Sequence, residues 1–157
     1  DCKDGRLRVN LLLNRASRWA DVHSYIPYEG RVDVKVKERC KNVLVRVPEW
    51  IDTGSGQVLC KINGKPRKLN WEGRYIDAGD AEPRDTVSVT FPISERTVTK
   101  EKMGGIDYTL ILKGNTVVFI DPPGKYCPLY QRARYRENRV RWVNRERFVP
   151  REEEVKW

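Results

Sequence analysis

The sequence predicts an all-β fold: an antiparallel two-sheet β-sandwich, jelly-roll-like, of about ten strands. Three observations predict it. Apolar and polar residues alternate at period two in several segments. Turn signals interrupt those segments at short intervals. No segment sustains the 3.6-residue apolar period of an amphipathic helix.

The elements follow in order. A first strand is expected at 7–14, which holds Leu11-Leu12-Leu13 between Asn10 and Asn14, and a second at 21–26. Pro27-Tyr28-Glu29-Gly30 is a turn. In the next strand Val32, Val34 and Val36 point one way and Arg31, Asp33, Lys35 and Lys37 the other. Val43, Val45 and Val47 alternate with Asn42, Leu44 and Arg46. Residues 58–63 and 66–69 flank Asn63-Gly64, the pair preferred in a two-residue hairpin because both central residues need positive φ. Strands are expected at 75–78, at 86–91 (where Val87, Val89 and Phe91 alternate with Thr86, Ser88 and Thr90), and at 96–101. Lys113-Gly114-Asn115 joins strands at 106–113 and 116–121 as a second hairpin. Residues 116–120 are apolar on both faces, which suits a central strand of a sandwich. Asp121-Pro122-Pro123 ends that strand, because proline donates nothing to a ladder. A short helix fits 131–138 and a last strand 140–149.

At 157 residues the chain has the usual length of one domain, and the reading is a single sandwich over 1–157 with a basic, then acidic, segment at 133–157. A chain this long buries roughly 70% of its unfolded surface, so it needs no metal or disulfide to fold. It opens at Asp1, with Met103 as its only methionine, as expected of a piece cut from a longer protein. No apolar run approaches the roughly 20 residues that span a bilayer, and no secretory leader is present, so no membrane partner is expected and the compartment is left open. Cys2, Cys40, Cys60 and Cys127 form no CxxC pair, and the chain has one histidine. Reduced thiols, some packed in the core, are expected, with no metal site and no cofactor.

Candidate chemistry is sparse. A serine hydrolase needs a nucleophile with a positioned base, yet there is no GxSxG elbow, and Gly54-Ser55-Gly56 falls in a loop. His23 shares a strand face with Asp21 and Tyr25, opposite Val22 and Ile26, which makes either a binding cluster or a plain polar face. Glu29, Glu49, Glu72 and Asp80 sit in or near turns with no spacing that selects a glycosidase pair. Gly104-Gly105 is an isolated pair, simplest as a turn. Trp19, Trp50 and Trp71 stand at strand ends or in loops, where an indole either stacks on a sugar ring or plugs the end of the sandwich or an interface.

Net charge is +9, and the tail interleaves Arg139, Arg141 and Arg145 with Trp142. Such a surface suits nucleic acid, but Glu137, Glu146 and Glu152-Glu153-Glu154 dilute it. A charged strand packed along another domain is preferred, and a nucleic-acid partner is the lesser expectation.

One ordered series of segments resembles a known family. Val9-Asn10-Leu11-Leu12-Leu13-Asn14 leads to Trp19, Asp21-Val22 and Tyr25-Ile26-Pro27-Tyr28. Val45-Arg46-Val47-Pro48-Glu49-Trp50 follows, then Ile62-Asn63-Gly64, and last Asp85-Thr86-Val87-Ser88-Val89-Thr90-Phe91-Pro92. Over roughly 5–130 this is similar to the region after the catalytic barrel of β-L-arabinofuranosidase-like glycoside hydrolases, family 127. The resemblance implies a parent with an α-helical toroid, a zinc-bound cysteine nucleophile and an acidic residue upstream. Those motifs have no counterpart here, the cysteines do not match the family's ligand spacing, and no catalytic residue carries over. Residues 114–130 depart from the family pattern, which leaves the parent's sugar open.

The function expected is therefore a non-catalytic C-terminal β-sandwich of a glycoside-hydrolase-like protein. Its partners would be an upstream helical catalytic domain of the same polypeptide and an oligo- or polysaccharide. Trp19, Trp50, Trp71, His23 and Tyr25 are the candidate carbohydrate or interdomain contacts. The alternatives are an independent carbohydrate-binding module and a basic nucleic-acid-binding β domain using Arg139, Arg141 and Arg145.

Overall fold

Two sheets face each other across an interior made mostly of valine. The computed structural model describes residues 1–103, 105–123 and 132–138. In chain order the strands are β1 (Cys2–Lys3), β2 (Arg6–Val9), β3 (Arg15–Ala16), β4 (Ala20–Ser24), β5 (Arg31–Val36), β6 (Asn42–Arg46) and β7 (Leu59–Ile62). They continue as β8 (Lys65–Arg67), β9 (Asn70–Glu72), β10 (Tyr75–Asp77), β11 (Thr86–Thr90), β12 (Glu95–Met103), β13 (Ile106–Lys113) and β14 (Thr116–Asp121). One helical turn, α1 (Ala133–Arg136), falls inside the 131–138 segment expected to be helical.

The first sheet has the order β1-β2-β6-β10-β9, the second β3-β4-β5-β11-β7-β8, and a third β12-β13-β14. Alternation decides what each contributes. Val43, Val45, Val47 and Ile76 from the first sheet meet Val32, Val34, Val36, Val87 and Val89 from the second in one buried cluster. β-Branched side chains suit this surface because their stiff χ1 costs little on a pleat.

The all-β sandwich is as expected, with several differences in detail. The described residues form 14 strands, not about ten, because β1, β3 and β9 are two or three residues long and too short to show a period. The first long strand stops at Val9, not at 14. Asn10 Oδ1 accepts the Tyr75 hydroxyl (2.9 Å) and Asn14 Oδ1 accepts the Ser24 amide (2.7 Å). These side-chain bonds hold 10–14 out of the ladder. The β2–β6 pairing is parallel, an exception in an otherwise antiparallel fold. Residues 116–121 do not run through the centre of the sandwich. They form β14, paired only to β13 among the described residues, in the third sheet. The chain just before α1 meets β14 through its backbone, where the Arg132 amide donates to the Val118 carbonyl at 2.7 Å.

Both hairpins form. Asn63 (φ 51°) and Gly64 (φ 78°) supply the two positive φ values of a type I′ turn, and Gly114 (φ 60°) opens the β13–β14 turn. Lys113 is buried beneath α1. Its ammonium donates to the carbonyls of Tyr135 (2.8 Å) and Arg136 (3.4 Å) and to Asn138 Oδ1. Glu95 adds two bonds from Arg136, at 2.8 and 2.9 Å. The expected strand at 140–149, with Cys127 and Gly104, lies outside the described residues.

Candidate functional site

The three tryptophans do not converge. Trp19 precedes β4 and is half-buried against the core, with the Arg18 guanidinium 5.7 Å from its ring centre. Its carbonyl accepts the amides of Lys37 (2.8 Å) and Glu38 (3.3 Å), which places it beside the far end of β5. Trp50 sits at the other end of that strand. Its ring meets Phe91 edge-on, at 5.8 Å and 77°, and Phe91 donates its amide to the Gly30 carbonyl just before β5. Trp71 lies on the edge strand β9 and is 36% exposed.

His23 and Tyr25 join a polar cluster on the outer face of the second sheet. Strand register sets His23 opposite Asp33, and Asp33 opposite Ser88. Asp33 is only 8% exposed. It accepts the Arg31 guanidinium at 3.0 Å, and that guanidinium lies 3.8 Å above the Tyr25 ring centre. Burial pushes the Asp33 carboxyl up, but bonds from Arg31 and Ser88, the Arg31 charge and the Tyr25 hydroxyl outweigh it, so the net shift is downward. Arg31 is correspondingly held charged, chiefly by its bond to Asp33. Asp21 turns away to Lys37, 2.8 Å distant, in an ion pair outside hydrogen-bonding angles.

Glu29, Glu49 and Glu72, three of the four acids near turns, meet guanidinium groups and not one another. Glu29 faces Arg31 (3.5 Å), Glu49 faces Arg46 (2.8 Å), and Glu72 faces Arg6 and Arg8. Cys2, Cys40 and Cys60 are free thiols. Burial pushes the Cys60 thiol up to about 11 despite Arg67 nearby, and burial also raises Cys40. Neither is a ready nucleophile or metal ligand, since both roles need the thiolate. Among the described residues no group of three His, Cys, Asp or Glu could hold a metal. Among them, too, no helix is long and apolar enough to cross a membrane. Arg139, Arg141 and Arg145 lie outside the described residues.

One concavity gathers groups that the sequence did not single out together. A cleft of about 690 Å³ runs between the 10–14 segment, the end of β4, the turn after β6 and the β13–β14 hairpin. Trp50, Ile26 and Pro48 give it an apolar wall, and Asn10, Asn14, Arg46, Glu49, Arg96 and Asn115 give it polar groups. Its volume is that of small-ligand sites, about 300–1,000 Å³. Arg74 fixes the turn that carries Trp50, donating to the carbonyls of Val47 (3.3 Å) and Ile51 (2.7 Å) and also to that of Pro48. At the cleft, Leu12 packs inward on the core while Leu11 and Leu13 are 68% and 62% exposed. The run Asn-Leu-Leu-Leu-Asn was the available signal, because three consecutive leucines cannot alternate.

No family model and no curated protein matches the sequence. Solved structures do share its fold. A glycoside hydrolase family 127 β-arabinofuranosidase superposes with TM-score 0.55 at 16% identity, over 72% of this chain and 22% of that one. A family 127 β-L-arabinofuranosidase from Geobacillus stearothermophilus T6 superposes with TM-score 0.50 at 16% identity, over 73% of this chain and 20% of that one. The chain thus spans about a fifth of the length of these structures, and at this identity the likeness is one of fold.

Proposed function

We propose that the chain is a non-catalytic β-sandwich unit of a larger glycoside-hydrolase-related protein, where it packs on a helical catalytic domain. The observation that carries this reading is the fold: most of this chain superposes on about a fifth of each family 127 enzyme. The side chains support it. Glu29, Glu49 and Glu72 are engaged with arginines, and the buried thiols are held protonated. Leu11 and Leu13 supply the apolar contact, worth about 1.5–3 kcal/mol for each one fully buried. Two measurements test this. The gene flanking the segment should encode a helical domain in the same reading frame, and the isolated chain should not hydrolyse an aryl β-L-arabinofuranoside. A flanking frame without such a domain, or turnover by the chain itself, would overturn the reading.

A second reading, an independent carbohydrate-binding module, draws on the cleft beside Trp50. Its aromatic wall and amide groups are the chemistry that packs on a sugar ring and bonds its hydroxyls.

A further inference from the structure

We infer that this cleft takes an acidic saccharide, an oligosaccharide containing a uronic acid, and that Arg96 reads its carboxylate. The inference rests on the second reading above and narrows it to one chemical class. Its first support is the surplus of donors. Asn10 and Asn14 both line the cleft and accept at Oδ1 from Tyr75 and Ser24, while their Nδ2 donors have no partner among the described residues. An apolar occupant would leave such donors unmet, whereas hydroxyl and carboxylate oxygens accept from them.

The second support is charge. Arg46 is compensated by Glu49 at 2.8 Å, while Arg96 has no acidic partner among the described residues. The cleft therefore holds two guanidinium groups against one carboxylate. A guanidinium pairs with a carboxylate through two parallel N–H···O bonds, which a neutral sugar cannot match. The apolar wall completes the site: Trp50, set by Phe91 and by the Arg74-bound turn, offers a fixed surface to the C–H face of a ring. The chain's charge of +9 adds a general attraction for an anionic polymer.

The test is an NMR titration of the full chain with trigalacturonate and, separately, with neutral galactotriose, following the Trp50 indole N–H, assigned through Trp50→Phe. Trigalacturonate should move that signal saturably and bind about tenfold more tightly than the neutral sugar, the value of one charge-assisted bond. Arg96→Gln, a change at an exposed position, should abolish the preference. Equal binding of the two sugars, or a preference that survives Arg96→Gln, overturns the acidic assignment while the sugar-binding reading stands. No saturable movement of the Trp50 signal with either sugar overturns both.

Discussion

Gly30 and Phe91 approach so closely that a side-chain carbon at position 30 would stand 1.9 Å from the Phe91 carbonyl oxygen. The Phe91 amide donates to the Gly30 carbonyl at 2.7 Å, so neither backbone can withdraw without loss. This contact closes the β5–β11 end of the second sheet and seats the ring against which Trp50 rests.

Gly30→Ala should therefore destabilise the fold by at least about 3 kcal/mol, at the upper end of overpacking costs. Near-ultraviolet circular dichroism should change with it, because Trp50 loses its fixed neighbour. Urea denaturation of the two proteins measures the first effect. Stability within 1 kcal/mol of wild type would show that the two strands part easily here.

Asp33 links stability to pH. Its carboxyl is held below the ordinary value of about 3.9, so its stabilisation is complete above that pH and is lost as pH falls through the lower, folded value. Asp33→Asn should cost about 1.5–3 kcal/mol at pH 7, the range for a hydrogen bond to a charged group, and progressively less below pH 4. Thermal melts of both proteins across pH 2–7 should converge at the acid end. Parallel curves would mean that the Arg31 contact contributes nothing.

Cysteine labelling should follow burial. A shift in Cys60 from 9.0 to about 11 leaves about a hundredfold less thiolate at pH 8, before any loss of access. Site-resolved mass spectrometry after iodoacetamide should show half-buried Cys2 modified well before Cys60. Comparable rates would mean that the sandwich opens at Cys60 on the labelling timescale.

Ile76 and Trp71 are directly opposed across β10 and β9, yet they should respond differently. Ile76 is fully buried, and Ile76→Ala should cost about 2–5 kcal/mol through the cavity it leaves. Trp71→Ala, at a partly exposed edge, should cost under about 1 kcal/mol. If the tryptophan is the more costly of the two, it is a core residue rather than a surface on offer.

Much of the sandwich was legible because valine alternation reports the pleat directly: β5, β6 and β11 lie where the pattern puts them, and β13 and β14 match to the residue. What escaped was set by partners distant in sequence. β9 exists because β10 lies beside it, and the parallel β2–β6 pairing leaves no trace in either strand. The outer-face neighbours of His23 were half legible. Alternation put Asp21 and Tyr25 on its face, but only register brings in Asp33 and Ser88. The cleft was legible only in its 10–14 edge, where the leucine run breaks the alternation, since the rest joins residues as far apart as Asn10, Trp50 and Arg96.

The parallel neighbour of β2 bears on how the chain can be made. Arg6 pairs with Asn42, and β6 in turn needs Tyr75 on its other side, while β5 waits for Thr86–Thr90. On a ribosome β2 has only the short β1 beside it until β6, which follows far along the chain, has left the exit tunnel. Such non-local pairing makes for slow assembly, and the exposed leucines that follow β2 would need shielding during that interval.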